Sequence, residues 1–461
     1  MKKLLYIDLF CGAGGTSTGV EAATLGGRKC AKVIACVNHD PNAIASHLAN
    51  HPEAKHYTED IRTLDLTTLI RHADEQRKKN PGALLVLWAS LECTNFSRAK
   101  GGMPRDADSR TLAEHLFRYI DALKPDYIQI ENVREFMMWG DLDENGRPVS
   151  RDAGRLYLRW VRNVRSRGYR FDHRVLNAAD YGAYTSRERF FGIFAKGNLP
   201  IVFPEPTHSR SGSHTLFGDT SAWKPVREVL DLEDIGRSIF RDKPLCENTL
   251  TRIYTGLIKF VAGGKEAFAK RCESAVHGEA GAPAAPARFA FSQFLDNQYG
   301  FGKPSSIETA ANTVTTNPKM NLVSVKPSGE GGGRRLHYLV NPQFGSEGAS
   351  VDRPCFTLIA RMDKKPPYMV TAEAGSAAAA SRDDSPMTVK IKEFMALYGI
   401  GDICMRELKI PELKKIMGFP EDYVLVGTKT EQKKYIGNAV ETHMACALCR
   451  TISREVNSLA S

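Results

Sequence analysis

Four short stretches carry residue types that could do chemistry together. The first is Asp8-Leu9-Phe10-Cys11-Gly12-Ala13-Gly14-Gly15, which ends an apolar run and opens a helical pattern. Glycine has no Cβ, so a ligand can approach the backbone of such a turn closely. The spacing is not GxGxxG, so a dinucleotide pyrophosphate is not its natural guest. A small zwitterion carrying an adenosine fits better. The second stretch places Cys93 in Trp88-Ala89-Ser90-Leu91-Glu92-Cys93-Thr94-Asn95-Phe96-Ser97, just after an apolar run. A loop there exposes a thiol, and a helix N-terminus lowers its pKa, which makes a nucleophile. The plainer alternative is a small apolar filler. The third, Ile130-Glu131-Asn132-Val133, puts a carboxyl group at the end of another run. Protonated, it donates to a ring nitrogen; otherwise it is a solvated loop acid. In the fourth, Tyr184-Thr185-Ser186-Arg187-Glu188-Arg189-Phe190-Phe191, strand alternation places Arg187 and Arg189 on one face. Two guanidinium groups suit an acceptor-rich ligand, and a solvated edge strand is the alternative.

The elements that position these residues read as strands at Leu4–Leu9, Lys32–Val37, Leu84–Ala89, Tyr127–Ile130, Val175–Asn177 and Phe190–Phe194. Helical patterns lie between them, which predicts a parallel α/β sheet with right-handed crossovers. Ligands bind such sheets at the C-terminal strand edge, where the stretches above fall. Beyond Pro204, Pro, Gly, Ser and Thr become frequent. Gly278–Arg288, Pro327–Gly333 and Ala372–Ser385 read as flexible connectors. Between them runs a loose repeat: Asn248-Thr249-Leu250-Thr251, Asn312-Thr313-Val314-Thr315 and Phe356-Thr357-Leu358-Ile359, each after a proline. Its β-branched content predicts short strands in a smaller, mostly β or irregular second domain. Leu408–Ser461 returns to helical texture. The expected domains are residues 1–203, 204–405 and a returning segment 406–461.

Composition narrows the class. The chain has 461 residues, 42% hydrophobic and 25% charged, which excludes disordered and collagen-like chains. A net charge of +10 favours a polyanionic partner such as a nucleic acid. No run is apolar enough to span a membrane. The start, Met1-Lys2-Lys3-Leu4-Leu5, is cut short by Asp8 and reads as a buried strand rather than a signal peptide. The 10 cysteines sit mostly singly in apolar runs, which predicts a reducing, cytoplasmic setting. Cys446-Ala447-Leu448-Cys449 has CxxC spacing but lies in a helical pattern without a second pair, and the 12 histidines form no HExxH-like group. No metal is therefore expected. Arg151–Arg174, with Tyr157 and Trp160, reads equally as a phosphate-contacting or a solvated helix face.

In order and spacing these stretches resemble the DNA (cytosine-5) methyltransferases of prokaryotic and phage type. Asp8–Gly15 looks like the family's Phe-x-Gly-x-Gly-Gly cofactor loop, and Cys93-Thr94-Asn95-Phe96-Ser97 like its nucleophile loop. Glu131-Asn132-Val133 is similar to its ENV motif, and Arg187-x-Arg189 to its Gln-x-Arg-x-Arg strand. Met417-Gly418-Phe419-Pro420-Glu421-Asp422-Tyr423 resembles the segment closing the recognition domain, and Tyr435-Ile436-Gly437-Asn438-Ala439-Val440 the last motif. The likeness covers about 1–200 and 405–450, and the unmatched middle corresponds to the family's variable target-recognition region.

The resemblance implies a Rossmann-like S-adenosylmethionine-dependent fold, with residues 1–203 catalytic and 204–405 reading the target. It implies transfer of a methyl group to C5 of a flipped-out cytosine in double-stranded DNA. Cys93 would add to C6, Glu131 donate to N3, Arg189 hold O2, and Arg187 brace the site. Asp8, Phe10, Gly12, Ala13, Gly14 and Gly15 would line the cofactor. Asn38, His39 and Asp40 stand where the family has an acid for the ribose, with Asn38 at the acid's own position. Asp60, before Ile61, resembles the acid at the adenine amino group, and Asn438 with Ala439 would close the methionine pocket. The family's Pro before the nucleophile is Glu92 here, and its Gln is Thr185. An ionised Glu92 close to Cys93 would raise the thiol pKa. A monomer is expected, with a restriction or phage-defence system as partner. The alternatives are an RNA cytosine-5 methyltransferase, and a catalytically silent DNA-binding relative.

Overall fold

Residues 4–9, LLYIDL, are apolar apart from Asp8, and all are buried in the computed structural model. A strand buried on both faces belongs inside a parallel sheet. This strand, β1 (Leu4–Leu9), is joined by β2 (Ala31–Asn38), β3 (Lys55–Thr58), β4 (Leu84–Ser90), β5 (Tyr127–Asn132), β6 (Tyr169–Asn177) and β7 (Glu188–Lys196) in the order β3-β2-β1-β4-β5-β7-β6. The structure describes residues 1–91, 108–141, 153–215, 218–276, 294–297, 305–306, 320–327, 336–341, 349–358, 362, 367–374, 381 and 383–459.

The sheet departs from the all-parallel expectation at one strand. β7 runs antiparallel to both its neighbours, β5 and β6. Residues 178–187 link β6 to β7, fewer than the dozen or so that a parallel crossover needs. β3 is a further strand that apolar runs do not reveal, because Lys55-His56-Tyr57-Thr58 buries only Tyr57 fully.

Alternation along β1 divides the core. Leu5, Ile7 and Leu9 face one apolar cluster, filled from α3 (Leu66–Lys79), α4 (Asp108–Leu123) and α5 (Arg155–Arg165) by Leu69, Leu116, Tyr119, Trp160 and Val164. Leu4 and Tyr6 face the other. There Val20 of α1 (Gly15–Ala22) meets Met444, Leu448, Ile452 and Val456 of the far C-terminal helix. α2 (Pro41–Asn50) starts on an Asp40 cap whose Oδ1 accepts from the amides of Asn42 and Ala43, with Pro41 in the first turn. Near the chain end, α6 (Lys429–Asn438) opens with a Thr428–Glu431 capping box, and α7 (Thr442–Ser458) follows. These elements form one compact unit, residues 1–181, 188–207 and 417–461.

The second unit comprises residues 182–187 and 208–416. Among the described residues its main sheet has eight strands, including Met320–Pro327, Leu336–Asn341, Tyr368–Ala374 and Ile400–Glu407. It also contains helices at Glu247–Gly256, Lys265–Val276, Pro386–Tyr398 and Ile410–Ile416. Asn248–Thr251, expected as a strand, is the start of the first of these. Leu250, Ile253 and Leu257 are buried at helical spacing, a period that a four-residue window is too short to reveal. Asn312–Thr315 lies outside the described residues. Phe356 closes the two-residue strand Cys355–Phe356, paired in parallel with Thr185–Ser186. Ala372–Ala374, expected to begin a connector, ends a strand instead. Arg406 and Glu412 form a buried fork, with Nη2 at 2.8 Å from Oε1 and Nη1 at 2.9 Å from Oε2.

Candidate active site

The turn after β1 is built from unusual backbone. Phe10, Gly12 and Gly14 have φ of 59°, 52° and 102°. Phe10 is one of two non-glycine residues with positive φ among the described residues, and such strain concentrates at functional sites. Among the described residues, a Cβ on Gly12 would meet nothing within 4 Å, so that side of the loop is open to them. Gly14 and Gly15 face inward. A Cβ on Gly14 would strike the Tyr423 hydroxyl and lie 3.2 Å from the His47 ring; one on Gly15 would lie 2.5 Å from the Val440 carbonyl oxygen and 2.9 Å from Ala439 Cβ. Tyr423 donates to the Ala13 carbonyl at 2.5 Å. The C-terminal segment thus grips the loop from behind.

Asp8 sits at the base of the turn and is fully buried, which pushes its pKa well above the usual carboxylate range. Ser17 donates to its Oδ2 at 2.8 Å, while Oδ1 has no hydrogen-bond partner among the described residues. An orphaned acceptor beside an open backbone cradle fits a ligand carrying an ammonium group.

The residues after β2 serve structure first. Asn38 Oδ1 accepts from the Asp40 amide at 2.9 Å. Asp40 caps α2 and also receives Tyr435 Oη at 2.9 Å and Lys434 Nζ at 3.3 Å, both from α6. Burial opposes its ionisation, but the bonds from Tyr435 and the Ala43 amide hold its pKa below the ordinary value. His39 is exposed. Asp60 pairs with Arg62 at 2.7 Å. Ile61 is buried, and its carbonyl accepts from Tyr119 Oη at 2.9 Å and from Arg118. Asn438, the last residue of α6, is exposed, and Ala439 caps the helix against the glycine loop.

Glu131, in β5, lies beside Ser90 of β4 and opposite Phe191 of β7. Its Oε1 is 3.3 Å from Arg189 Nε, and both side chains are 8% exposed. A buried carboxylate and guanidinium therefore meet at the C-terminal edge of the sheet. Asn132 donates from Nδ2 to the Leu91 carbonyl at 3.3 Å and accepts from the Val133 amide. It ties the end of β5 to the first residue after β4. Glu92 and Cys93 follow at once and lie outside the described residues. Arg187 immediately precedes β7; it is buried, as Arg189 is, while Glu188 between them is exposed. Arg187 Nη1 donates to the Leu358 carbonyl at 2.9 Å, within the second unit.

Sequence reasoning passed over Ser17, Asn132, His47 and Tyr423 as individual groups. Asn132 and Tyr423 stood inside quoted motifs, which is the available signal. Ser17 and His47 carried none, because Ser17 matters through Asp8 and His47 through a strand at a distance.

The match to known proteins is consistent with this layout. The family described as C-5 cytosine-specific DNA methylase matches residues 4–222 and 353–454. Type II methyltransferase M1.HphI of Haemophilus parahaemolyticus is 29% identical over 208 residues, covering 45% of this chain and 50% of that protein. Type II methyltransferase M.AgeI of Thalassovita gelatinovora is 30% identical over 234 residues, covering 49% of each. The chain thus spans about half the length of these relatives. A solved structure described as a DNA modification methyltransferase encoded within an E. coli prophage shares the fold at TM-score 0.50 and 18% identity, over 99% of this chain and 100% of that one. Among the described residues, no helix is long and apolar enough to cross a membrane. With its Rossmann-like mixed sheet and more than half its length matched, the chain belongs to the C-5 cytosine-specific DNA methylase family.

Proposed function

We propose that the chain is a DNA cytosine-5 methyltransferase that uses S-adenosylmethionine and acts on a cytosine turned out of duplex DNA. The observation that carries this reading is the buried Glu131–Arg189 pair, with Asn132 next to Glu131 bonded to Leu91, two residues before Cys93. Cytosine C5 is a poor nucleophile. Addition of the Cys93 thiolate to C6 moves electron density onto C5 and makes it one. The base's N3 and O2 present the two partners that Glu131 and Arg189 otherwise find in each other. Arg189 exchanges the carboxylate for O2, which frees Glu131 to carry the proton shared with N3. S-adenosylmethionine supplies an electrophilic methyl group on a positive sulfur when it is bound. A base then takes the C5 proton, and the thiolate leaves C6. The stacked duplex hides C6, so the base must be extruded first.

The open face at Gly12 and the free Asp8 oxygen are the features that suit the amino-acid end of this cofactor. Phe10, Ala13, Gly14 and Gly15 shape the loop around it, with Asn438 and Ala439 closing the pocket. Asn38, His39, Asp60 and Ile61 serve its adenosine end. Asp40 serves it through the α2 cap. Arg187 braces the segment entering β7. The second unit reads the target sequence. The enzyme works as a cytoplasmic monomer that marks DNA within a restriction or phage-defence system.

Nucleoside mass spectrometry tests this. The protein is incubated with S-adenosylmethionine and either mixed-sequence duplex DNA or total tRNA. The expected result is 5-methyldeoxycytidine in DNA, absent with Cys93→Ala although that variant still binds DNA. A mark in RNA alone, or methylation surviving Cys93→Ala, overturns it.

A further inference from the structure

Cys11, Cys36 and His47 lie on three different elements, the glycine loop, β2 and α2. Yet their sulfur and ring-nitrogen atoms all lie within 4.8 Å of one another, and all three residues are buried. Among the described residues this is the one group of three or more such side chains. The sheet register explains the meeting. Asp8 pairs with Cys36 across β1 and β2, and Cys36 pairs with His56 across β2 and β3. Cys36 Sγ is 3.7 Å from His47 Nδ1, and His47 Nδ1 is 2.9 Å from His56 Nε2.

We infer that Cys11, Cys36 and His47 form a three-ligand binding site for Zn2+ or a similarly soft divalent cation, with the fourth position left to solvent. Three features point there. With Zn–S near 2.3 Å and Zn–N near 2.05 Å, tetrahedral geometry puts sulfur and nitrogen about 3.6 Å apart, against 3.7 Å for Cys36 and His47. Two thiols and one imidazole, with solvent in the fourth position, are a known zinc set. The hydrogen-bond relay behind His47 also orients it for ligation. Ser17 donates its one proton to Asp8, so at His47 Nε2, 2.9 Å away, it accepts. That leaves Nδ1, 3.7 Å from Cys36 Sγ, as the nitrogen with a lone pair to give. Ligating histidines are commonly held this way through their second nitrogen. Binding displaces the thiol protons and the hydrogen bond between the imidazoles, and solvent takes up the protons released. The site stands directly behind Gly14, whose Cβ position is 3.2 Å from the His47 ring. An ion there pins the loop to β2 and α2.

The test is Co2+ titration of the full chain after chelator treatment and removal of the chelator. Expected are about one Co2+ per chain, thiolate-to-cobalt charge-transfer absorption, tetrahedral visible bands, and displacement by Zn2+. Cys36→Ser abolishes the charge-transfer absorption of that sulfur. Ser17→Ala, with every ligand intact, weakens binding about ten- to a hundredfold. Cys446→Ser, on α7, changes nothing. Should the cysteine variant fail to fold, the unaltered protein decides: Zn2+ raises its urea midpoint and Mg2+ does not. No charge-transfer band at one equivalent, a band unaltered in folded Cys36→Ser, or no midpoint shift with Zn2+ overturns the site. None of these readouts involves methylation, so their failure leaves the proposed activity standing.

Discussion

Gly14→Ala tests how the glycine loop is held. The residue sits at φ 102°, and an added Cβ would strike the hydroxyl of Tyr423, which is 5% exposed and donates to Ala13. An L side chain in left-handed backbone costs about 1–2 kcal/mol. Pushing the hydroxyl away forfeits its hydrogen bond, about 1 kcal/mol more. The single variant should therefore lose about 2–3 kcal/mol. Tyr423→Phe alone should lose about 1 kcal/mol, the scale of its bond to Ala13. In the double variant the obstructing oxygen is gone, so the loss should fall short of the sum by about 1 kcal/mol, beyond the few tenths expected of independent sites. Urea unfolding of all four proteins gives the coupling, with S-adenosylmethionine calorimetry alongside. Gly14→Ala should weaken cofactor binding, and Tyr423→Phe in the same chain should recover part of it. Additive stabilities, or a Gly14→Ala protein as stable as the parent, would refute the claim that Tyr423 buttresses the loop.

Glu131→Gln should lower the methylation rate at least about tenfold, the scale of a general acid; an unchanged rate removes it from the mechanism. Glu131→Ala should also cost about 3–5 kcal/mol, because Arg189 stays buried with less to compensate it, and Arg189→Leu in the same protein should return part of that in denaturant titrations. Asn132→Ala leaves the buried Leu91 carbonyl without its amide, so a loss of about 1–3 kcal/mol is expected, with slower turnover because Leu91 stands two residues before Cys93. Asp40 titrates below the ordinary value when folded. Its contribution is complete above about pH 3.9 and is lost as pH falls through the lower folded value. Asp40→Asn should therefore flatten the acid limb of a stability–pH curve, and an unchanged limb would show that Tyr435 and the α2 cap do not favour its charge.

The sheet was legible where burial on both faces leaves mostly apolar runs, as in LLYIDL and LLVLWAS. It was illegible at β3, whose edge position lets Lys55 and Thr58 face water. The direction of β7 depended on the length of a link rather than on any residue type. Glu131 was legible as a motif, but its meeting with Arg189 depends on strand pairing that no local pattern encodes. Asp40 was read as a ligand group, whereas its geometry follows from its place before Pro41, where an acid caps a helix. The hold of Tyr423 on Ala13 and the gathering of Cys11, Cys36 and His47 arise only when separate segments pack.

The apolar face carrying Leu4 and Tyr6 is covered by α7, and Lys2 is hydrogen-bonded to Asn457, a separation of 455 residues. At about 5–20 residues per second, ribosomal synthesis of that separation takes roughly 20–90 seconds. For that interval the earliest strands exist without their lid. The nascent chain therefore presents a sticky surface long before it can hide it. Its yield in a cell should depend on chaperone supply during translation more steeply than its final stability would suggest.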